Sequence, residues 1–560
     1  MRRIYPTSIV ALAICALSFI AHGAVVSSYP LADLRDYNGD LALACSTNAG
    51  KTILISSPTR TLAENLTCPA NVGIEVVYGG LISKGSYTAN ILGNVNAGLY
   101  TIFSGTGGVT GLRTAPVEWF GADPTGTVDS APAINAALAA AYDVVLAPNS
   151  NYLAYSTINV PSGKTLRGAG RWTHIKAVGI HGTLLMINSG SAQTIKDFTL
   201  WGNPAICVEV NNAQNLYMAN INAVCNGDTG FKFTMTWGSY LTKLSTGGGI
   251  KGKCFDIEWA FNANYCADWY TNDAGAQYNF YINSGSAAGG VMDNFTAQGG
   301  KVGMYMKSWA YGGLVVNGFY SEGIGSEGIH LGGPGVNDFV RGVTFNGASI
   351  SAGTSTNTPG KAIVLEQTDY VTFNNPFAWG IYGGANLQIT GGGGSGALAS
   401  LCIANDGSIC GATVYWPGTG YVSQPTFSII NSPTGTGATF KANLHNGKID
   451  SIIVNSPGIG YSNSYTNAFI YFAGTTYNKN VVINSPWSPK TAGGGPPMWT
   501  YVYHQNTTPY AGNQPGIIIR DDVEHSVTRT SVNQLGIWSE PTNTFRFYAT
   551  VPVMPQAKGI

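Results

Sequence analysis

The segment FYSEGIGSEGIHL, residues 319–331, holds Glu322, Glu327 and His330 within nine residues, in a chain of 560 whose charged residues amount to only 10%. Carboxylates recur in similar segments upstream, Asp268 and Asp273 in ADWYTNDAG and Asp293 in VMDNFTAQGG. Written under one another, the segments make columns. Thr242, Asp268, Asp293 and Asn317 form one, and Gly247, Asp273, Gln298, Glu322 and Ala348 form another. The strands before them give a third: Glu209, Lys232, Asp256, Tyr281, Tyr305 and His330. If neighbours in a column sit on stacked strands, Asp268 and Asp293 are about 5 Å apart and Asp273 and Glu322 about 10 Å. Hydrolysis of a glycosidic bond uses such a pair. One carboxyl protonates the leaving oxygen while the other attacks or activates water, at about 5 Å for retention and about 6.5–9.5 Å for inversion.

Glu322 is therefore the first candidate catalytic residue, with Asp273, Asp293 and Asp268 as candidate partners. The stacked rings of Tyr281, Tyr305 and His330 offer a platform for sugars, with Glu327 and Trp269 as further substrate contacts. Each feature also has a purely structural reading. Asp residues at turns bond backbone amides, Glu209, Lys232 and Asp256 alternate in sign like a neutralising ladder, and rings stack on one another for stability. A lyase is the alternative chemistry, needing a base and a cation to hold the developing enolate. The same stretch carries few basic residues and no Asp-rich calcium cluster, so hydrolysis is favoured and neither metal nor cofactor is expected.

These columns require a repeating scaffold. Short apolar strands ICVEV, FKFTM, FDIEW, FYINS, MYMKS, IHLGG and IVLEQ begin at residues 206, 231, 255, 280, 304, 329 and 363. A period near 24 with two or three strands per unit and polar turns predicts a right-handed parallel β-helix, whose coils bury their inner faces only by stacking. Its open end needs a cover, and the one clean amphipathic helix supplies it: Ile134, Ala137, Leu138 and Ala141 follow Asp129 and Ser130 as helix starters and Pro132 in the first turn. The predicted class is all-β, a β-helix solenoid with an N-terminal capping helix and a small additional β-domain.

With 28 basic and 28 acidic residues, the chain gives no electrostatic reason to bind nucleic acid. Many Gly, Tyr, Asn, Ser and Thr describe an uncharged polar surface suited to carbohydrate. Arg2 and Arg3, the run IVALAICALSFIA and Ala21-His22-Gly23 read as a signal peptide over 1–23. No later segment reaches the length of a membrane span, so the expected product is secreted. The cysteines after Cys15 pair by proximity as Cys45 with Cys68, Cys207 with Cys225, Cys254 with Cys266, and Cys402 with Cys410, a disulfide framework rather than a zinc site.

Trp119-Phe120-Gly121-Ala122, Gly126, Asp129, Val160-Pro161-Ser162-Gly163 and Leu166-Arg167-Gly168-Ala169-Gly170 resemble the opening of pectate-lyase-superfamily proteins, including phage tailspike depolymerases. DPTGTVDS departs from the family's usual Gly-Asp-Gly and paired Asp, and the Asn-Thr-Asp, Asp-Asp and Gly-His-Gly series of polygalacturonases is absent. The resemblance implies a β-helix over 116–390. A β-rich segment over 24–115 precedes it. After it come a small β-domain over 391–475 and a β-rich segment over 476–560. In the small domain PGTGY and PGIGY recur 40 residues apart, with Tyr421, Trp416 and Tyr461 as glycan contacts, or as parts of a spacer. The expected function is a secreted polysaccharide depolymerase, an endo-acting glycoside hydrolase. The alternatives are a polysaccharide lyase and a non-catalytic glycan-binding adhesin or tailspike-like protein. The partner is a polysaccharide or oligosaccharide, and the chain is either a monomer or a homotrimer with grooves between subunits.

Overall fold

A computed structural model describes residues 30–352, 360–378, 386–403, 406–430 and 434–461, with strands Ala468–Phe472, Asn478–Asn484, Thr500–His504, Ile517–Arg520, Gly536–Glu540 and Thr544–Tyr548 beyond. The signal segment read at 1–23 lies outside the described residues. The chain forms the expected parallel β-helix and divides into two units, 1–121 with 139–142, and 122–138 with 143–560.

In the first unit, strands of two to four residues stack in parallel in three sheets. The largest holds Leu31–Asp33, Thr52–Ile55, Gly73–Val76 and Val95–Ala97. Alternation sets which side chains enter the core: Ile53 and Ile55, then Ile74 and Val76, point inward and are buried. The Cys45–Cys68 disulfide ties the helix Leu41–Thr47 to the strand Leu66–Cys68 of another of these sheets, which pairs with Ala89–Ile91. Trp119, the start of the motif that carries the resemblance, is buried and donates its indole N–H to Gly98 O at 3.0 Å.

The second unit begins under the helix Ala131–Ala140. Asp129 Oδ1 accepts from Ala131 N and Tyr155 N, and Asn135 bonds Thr157 O and Asn159 N, so the helix is fastened to the first coils with Ile134, Ala137 and Leu138 buried. Above it, Val208, Phe231, Phe255, Phe280, Met304, Ile329 and Ile363 share one inward column. A second column, Phe198, Ile221 and Leu244, continues through Trp269, Phe295 and Phe319. Rings from the two interleave: Phe255 lies 4.9 Å from Phe231 and 4.4 Å from Trp269, and Trp269 lies 4.9 Å from Phe295.

Each coil turns one corner through a left-handed residue. Asp197, Asn220, Lys243, Asp268, Asn294 and Asn375 have φ between 50° and 66°, and Gly318 and Gly347 hold the corner in the coils between. One residue earlier runs a side-chain ladder. Asn317 donates to Asp293, Asn346 to Asn317, Asn374 to Asn346 and Asn484 to Asn374, at 2.6–2.8 Å.

Cys207 and Cys225 are bonded as expected, and Cys410 is disulfide-bonded. The pairing of Cys254 with Cys266 is corrected: both are buried free thiols. Two coils above Cys207, Cys254 meets Asp273, which stands two coils above Cys225 in the same register, with Sγ to Oδ2 at 3.4 Å. A hydrogen bond thus replaces the lower disulfide, while Cys266 points elsewhere, in register with Leu241 and Met292.

Residues 386–461 interrupt the solenoid with antiparallel strands. Hairpins Ser395–Ile403 with Ile409–Thr419, and Thr436–His445 with Lys448–Ile459, share one small core. The half-repeats are real, but Tyr421 and Tyr461 belong to that core rather than to a glycan surface. Each ring lies over glycines of its own hairpin, Gly394 and Gly418 for one, Gly435 and Gly458 for the other. The side chain of Trp416 lies outside the described residues. The coils then resume: Ala468–Phe472 and Asn478–Asn484 pair in parallel on Lys361–Leu365 and Thr368–Asn374, and Thr500–His504 and Ile517–Arg520 on those.

Candidate functional site

The first-strand column has the expected register, Glu209, Lys232, Asp256, Tyr281, Tyr305 and His330 on successive coils. Its lower part is an ion-pair ladder. Lys253 Nζ lies 2.9 Å from Asp256 and 3.6 Å from Glu258, and Lys232 reaches Glu258 at 3.5 Å. Burial raises the Asp256 pKa, and Lys253 opposes that shift. Lys253 also sits 3.8 Å over the Tyr281 ring.

In the upper part, Tyr305 lies 5.6 Å from Tyr281, edge to face, and 4.6 Å from His330. His330 is held between two carboxylates, Nδ1 at 2.8 Å from Glu327 and Nε2 at 3.3 Å from Glu366, while Lys361 adds a second cation on Glu327. Burial alone would lower the His330 pKa, yet the two carboxylates together raise it. Burial would likewise raise Glu327, but His330 and Lys361 bring it down to about 2. Burial, with nearby carboxylates, pushes the Tyr281 hydroxyl up to about 12. The rings and charges of this belt are largely consumed by one another. Among the described residues, no three His, Cys, Asp or Glu side chains are disposed to hold a metal.

The second-strand columns are shifted by one residue from the sequence alignment. Asp293 faces Ala267 rather than Asp268, and Gln298 faces Asn272 rather than Asp273. Since alternate residues face opposite ways, a slip of one exchanges inside for outside. Asp273 is consequently 1% exposed. Oδ1 accepts from Gly249 N and Ile250 N, and Oδ2 accepts from Thr246 Oγ1 and Cys254 Sγ, so it braces coils and is not a catalytic carboxylate. Trp269 is fully buried and gives its N–H to Leu241 O, so it is core, not a sugar contact. Asp268 is exposed at the corner and accepts from Asn294; Asp293 is the terminal acceptor of the asparagine ladder. The two are therefore not the aligned pair that the alignment made of them. The apolar column Phe198, Ile221, Leu244, Trp269, Phe295 and Phe319 was the signal that fixes this register.

Glu322 stands where expected, exposed, at the top of the outward column Trp201, Val224, Gly247, Asn272, Gln298 and Glu322. Its Oε2 accepts from Gln298 Nε2 and Tyr320 OH, both at 3.1 Å, and the Tyr270 hydroxyl bonds the other end of Gln298. Below this group an open groove of about 420 Å³ runs over the same face, lined by Arg171, Thr199, Asn222, Ser245, Tyr270 and Asn272 among others, with no carboxylate among the described lining residues. Arg171, Trp201, Tyr270 and Tyr320 were not singled out in the sequence, because they join this face only once the register is known.

These features define a parallel β-helix with a polar groove along one face. The chain is similar to an exopolygalacturonase from Thermotoga maritima, at 11% identity over 49% of this chain and 88% of that one, TM-score 0.32. It is similar to the tailspike protein of Acinetobacter baumannii phage AM24, at 12% identity over 78% and 79%, TM-score 0.33. It is also similar to the surface protein and adhesin PfbA of Streptococcus pneumoniae, at 10% identity over 48% and 98%, TM-score 0.29. No family model and no curated protein matches the chain.

Proposed function

We propose that the chain is a polysaccharide depolymerase, an endo-acting glycoside hydrolase that lays a glycan along the groove and transfers the proton at Glu322. One observation carries this reading: Glu322 is an exposed carboxylate two coils beyond Asn272, past the upper end of a groove lined by hydroxyls, amides, Tyr270 and Arg171, whereas Asp273, Asp293 and Glu327 are each committed to internal bonds and Asp268 sits at the coil corner on Asn294. Gln298 and Tyr320 hold one of its oxygens and leave the other to reach a glycosidic oxygen. Hydrolysis needs a second carboxylate, and in this reading a neighbouring chain of a homotrimer brings it to the groove.

The lack of a carboxylate among the described groove-lining residues also favours a second reading, a glycan-binding surface protein without turnover. Reducing-end release from neutral and uronate polysaccharides, with absorbance near 235 nm followed in parallel, separates the readings. Release without unsaturated products, abolished in Glu322→Gln while glycan binding persists, is expected. Rising absorbance would identify a lyase, and absence of release across the panel would leave the binding protein.

A further inference from the structure

In the run Gly247-Gly248-Gly249 the backbone demands two of the glycines and not the first. Gly248 and Gly249 have φ of 106° and 112°, where side chains are strained. A Cβ on Gly248 would also fall 3.0 Å from Val224 Cγ1 and 3.2 Å from Cys225 N, and one on Gly249 would fall 2.9 Å from Asn226 Oδ1. Gly247 lies outside the left-handed region, and a Cβ built on it would meet only Asn272 O, at 4.0 Å, an ordinary contact distance. It closes the strand Tyr240–Gly247 and pairs in parallel with Val224 below and Asn272 above, with no shift of register.

Glycine in a strand gives up packing and conformational entropy, and it marks a bulge, a tight bend, the close approach of another backbone, or the close approach of a ligand. At Gly247 the regular ladder removes the first reason, the φ removes the second, and the clear space around a built Cβ removes the third. The outward side remains, and it is the groove. Gly247 lines it together with Ser245 of the same strand. The neighbouring coils place Asn222 and Val224 below, and Tyr270 and Asn272 above, in the same two outward columns. The coil between them presents only a hydroxymethyl group and a hydrogen where they present larger side chains. The floor of the groove, about 420 Å³ in volume, is therefore main chain at Gly247.

We propose that Gly247 is a specificity-determining residue of the groove: it sets the depth, the ligand lies against the bare main chain of this coil, and a side chain at this position would occupy the ligand's space. This inference rests on the groove being the glycan site. It does not require cleavage, since Glu322 stands three inter-strand steps farther along the same outward column, about 14 Å away.

The test is a size series at one position, Gly247→Ala, Gly247→Val and Gly247→Phe in the full chain. It is read by melting curves and by affinity electrophoresis through gels containing polygalacturonate, hyaluronan, dextran or galactomannan. No melting temperature should fall, because the backbone at this position accepts a side chain and any residue other than glycine restricts the unfolded chain. On the polysaccharide that retards the wild type most, affinity should fall about three-fold or less in Gly247→Ala, about ten-fold or more in Gly247→Val, and below detection in Gly247→Phe. Glu322→Gln should be retarded like wild type. A lowered melting temperature in Gly247→Ala would show that the fold itself needs the glycine and would overturn the proposal. Wild-type retardation in Gly247→Phe would also overturn it, and would leave the depolymerase standing if reducing ends are still released by wild type and lost in Glu322→Gln. No retardation of the wild type in any of the four gels would overturn the glycan reading of the groove and this inference with it. Retardation lost in Gly247→Phe, with no reducing ends released by wild type, would overturn the depolymerase and leave Gly247 in its role.

Discussion

Asp273 separates a chemical role from a structural one, because its surroundings fix what its loss must cost. Its carboxylate takes two backbone N–H groups at 2.8 and 3.0 Å, the Thr246 hydroxyl at 2.7 Å and the Cys254 thiol. In Asp273→Asn, the amide oxygen keeps Gly249 N and Ile250 N, and the Thr246 hydroxyl can turn to accept from the new NH₂. These three charge-assisted bonds then become neutral, at about 1 kcal/mol each, so about 3 kcal/mol is lost. Asp273→Ala strands both backbone N–H groups and the hydroxyl away from water, at about 1–3 kcal/mol per group, so about 3–9 kcal/mol is expected. Urea unfolding followed by circular dichroism reads the loss as a lower midpoint at unchanged slope. On a glycan that the wild type cleaves, turnover per folded molecule should stay within a few-fold of wild type in Asp273→Asn. A stable Asp273→Asn protein without turnover would refute the argument and return Asp273 to the catalytic pair.

Three further outcomes follow from the same geometry. Because the folded pKa of His330 is raised, its stabilisation is complete below about pH 6.5 and is lost as pH rises through the folded value; Glu327, depressed to about 2, contributes above about pH 4.3 and loses that contribution toward pH 2. Melting temperatures of wild type and His330→Gln should therefore differ most between about pH 4.5 and 6.5 and converge at alkaline pH. Trp269→Ala, which empties the stack between Phe255 and Phe295, should cost about 3–5 kcal/mol in urea unfolding and leave glycan affinity unaltered. Asn346→Ala removes one rung that both donates to Asn317 and accepts from Asn374, and about 1–3 kcal/mol should appear in the same assay.

The sequence made the fold legible wherever apolar and polar residues alternate without interruption. FKFTM, FDIEW and MYMKS each bury apolar side chains at their first and third positions, so the column from Glu209 to His330 could be aligned by eye and the structure keeps it. The second strands are cut by a left-handed corner, and at Asp268 the acid at the corner was mistaken for the acid one residue before it in the next coil. That single slip moved Asp273 and Trp269 from the inside to the outside. The groove escaped notice for another reason: its residues come from coils up to about 100 positions apart, and none is unusual by itself. Cys254 and Cys266 show the limit of proximity along the chain, since neighbours on one coil can face different walls.

The domain at 386–461 has a consequence for how the solenoid assembles. Lower coils close over short stretches, 24 residues for Gln298 with Glu322, whereas the next coil across the insertion joins Thr368 to Asn478 over 110. The added loop-closure entropy is about 1.3 kcal/mol if the intervening chain is still unfolded, and shrinks if the insertion has already drawn its own ends together. Zippering that starts among the lower coils therefore pauses at this seam until the insertion is folded. The last coils join late and are the first to peel away, while the groove, built wholly below the seam, is complete before they arrive.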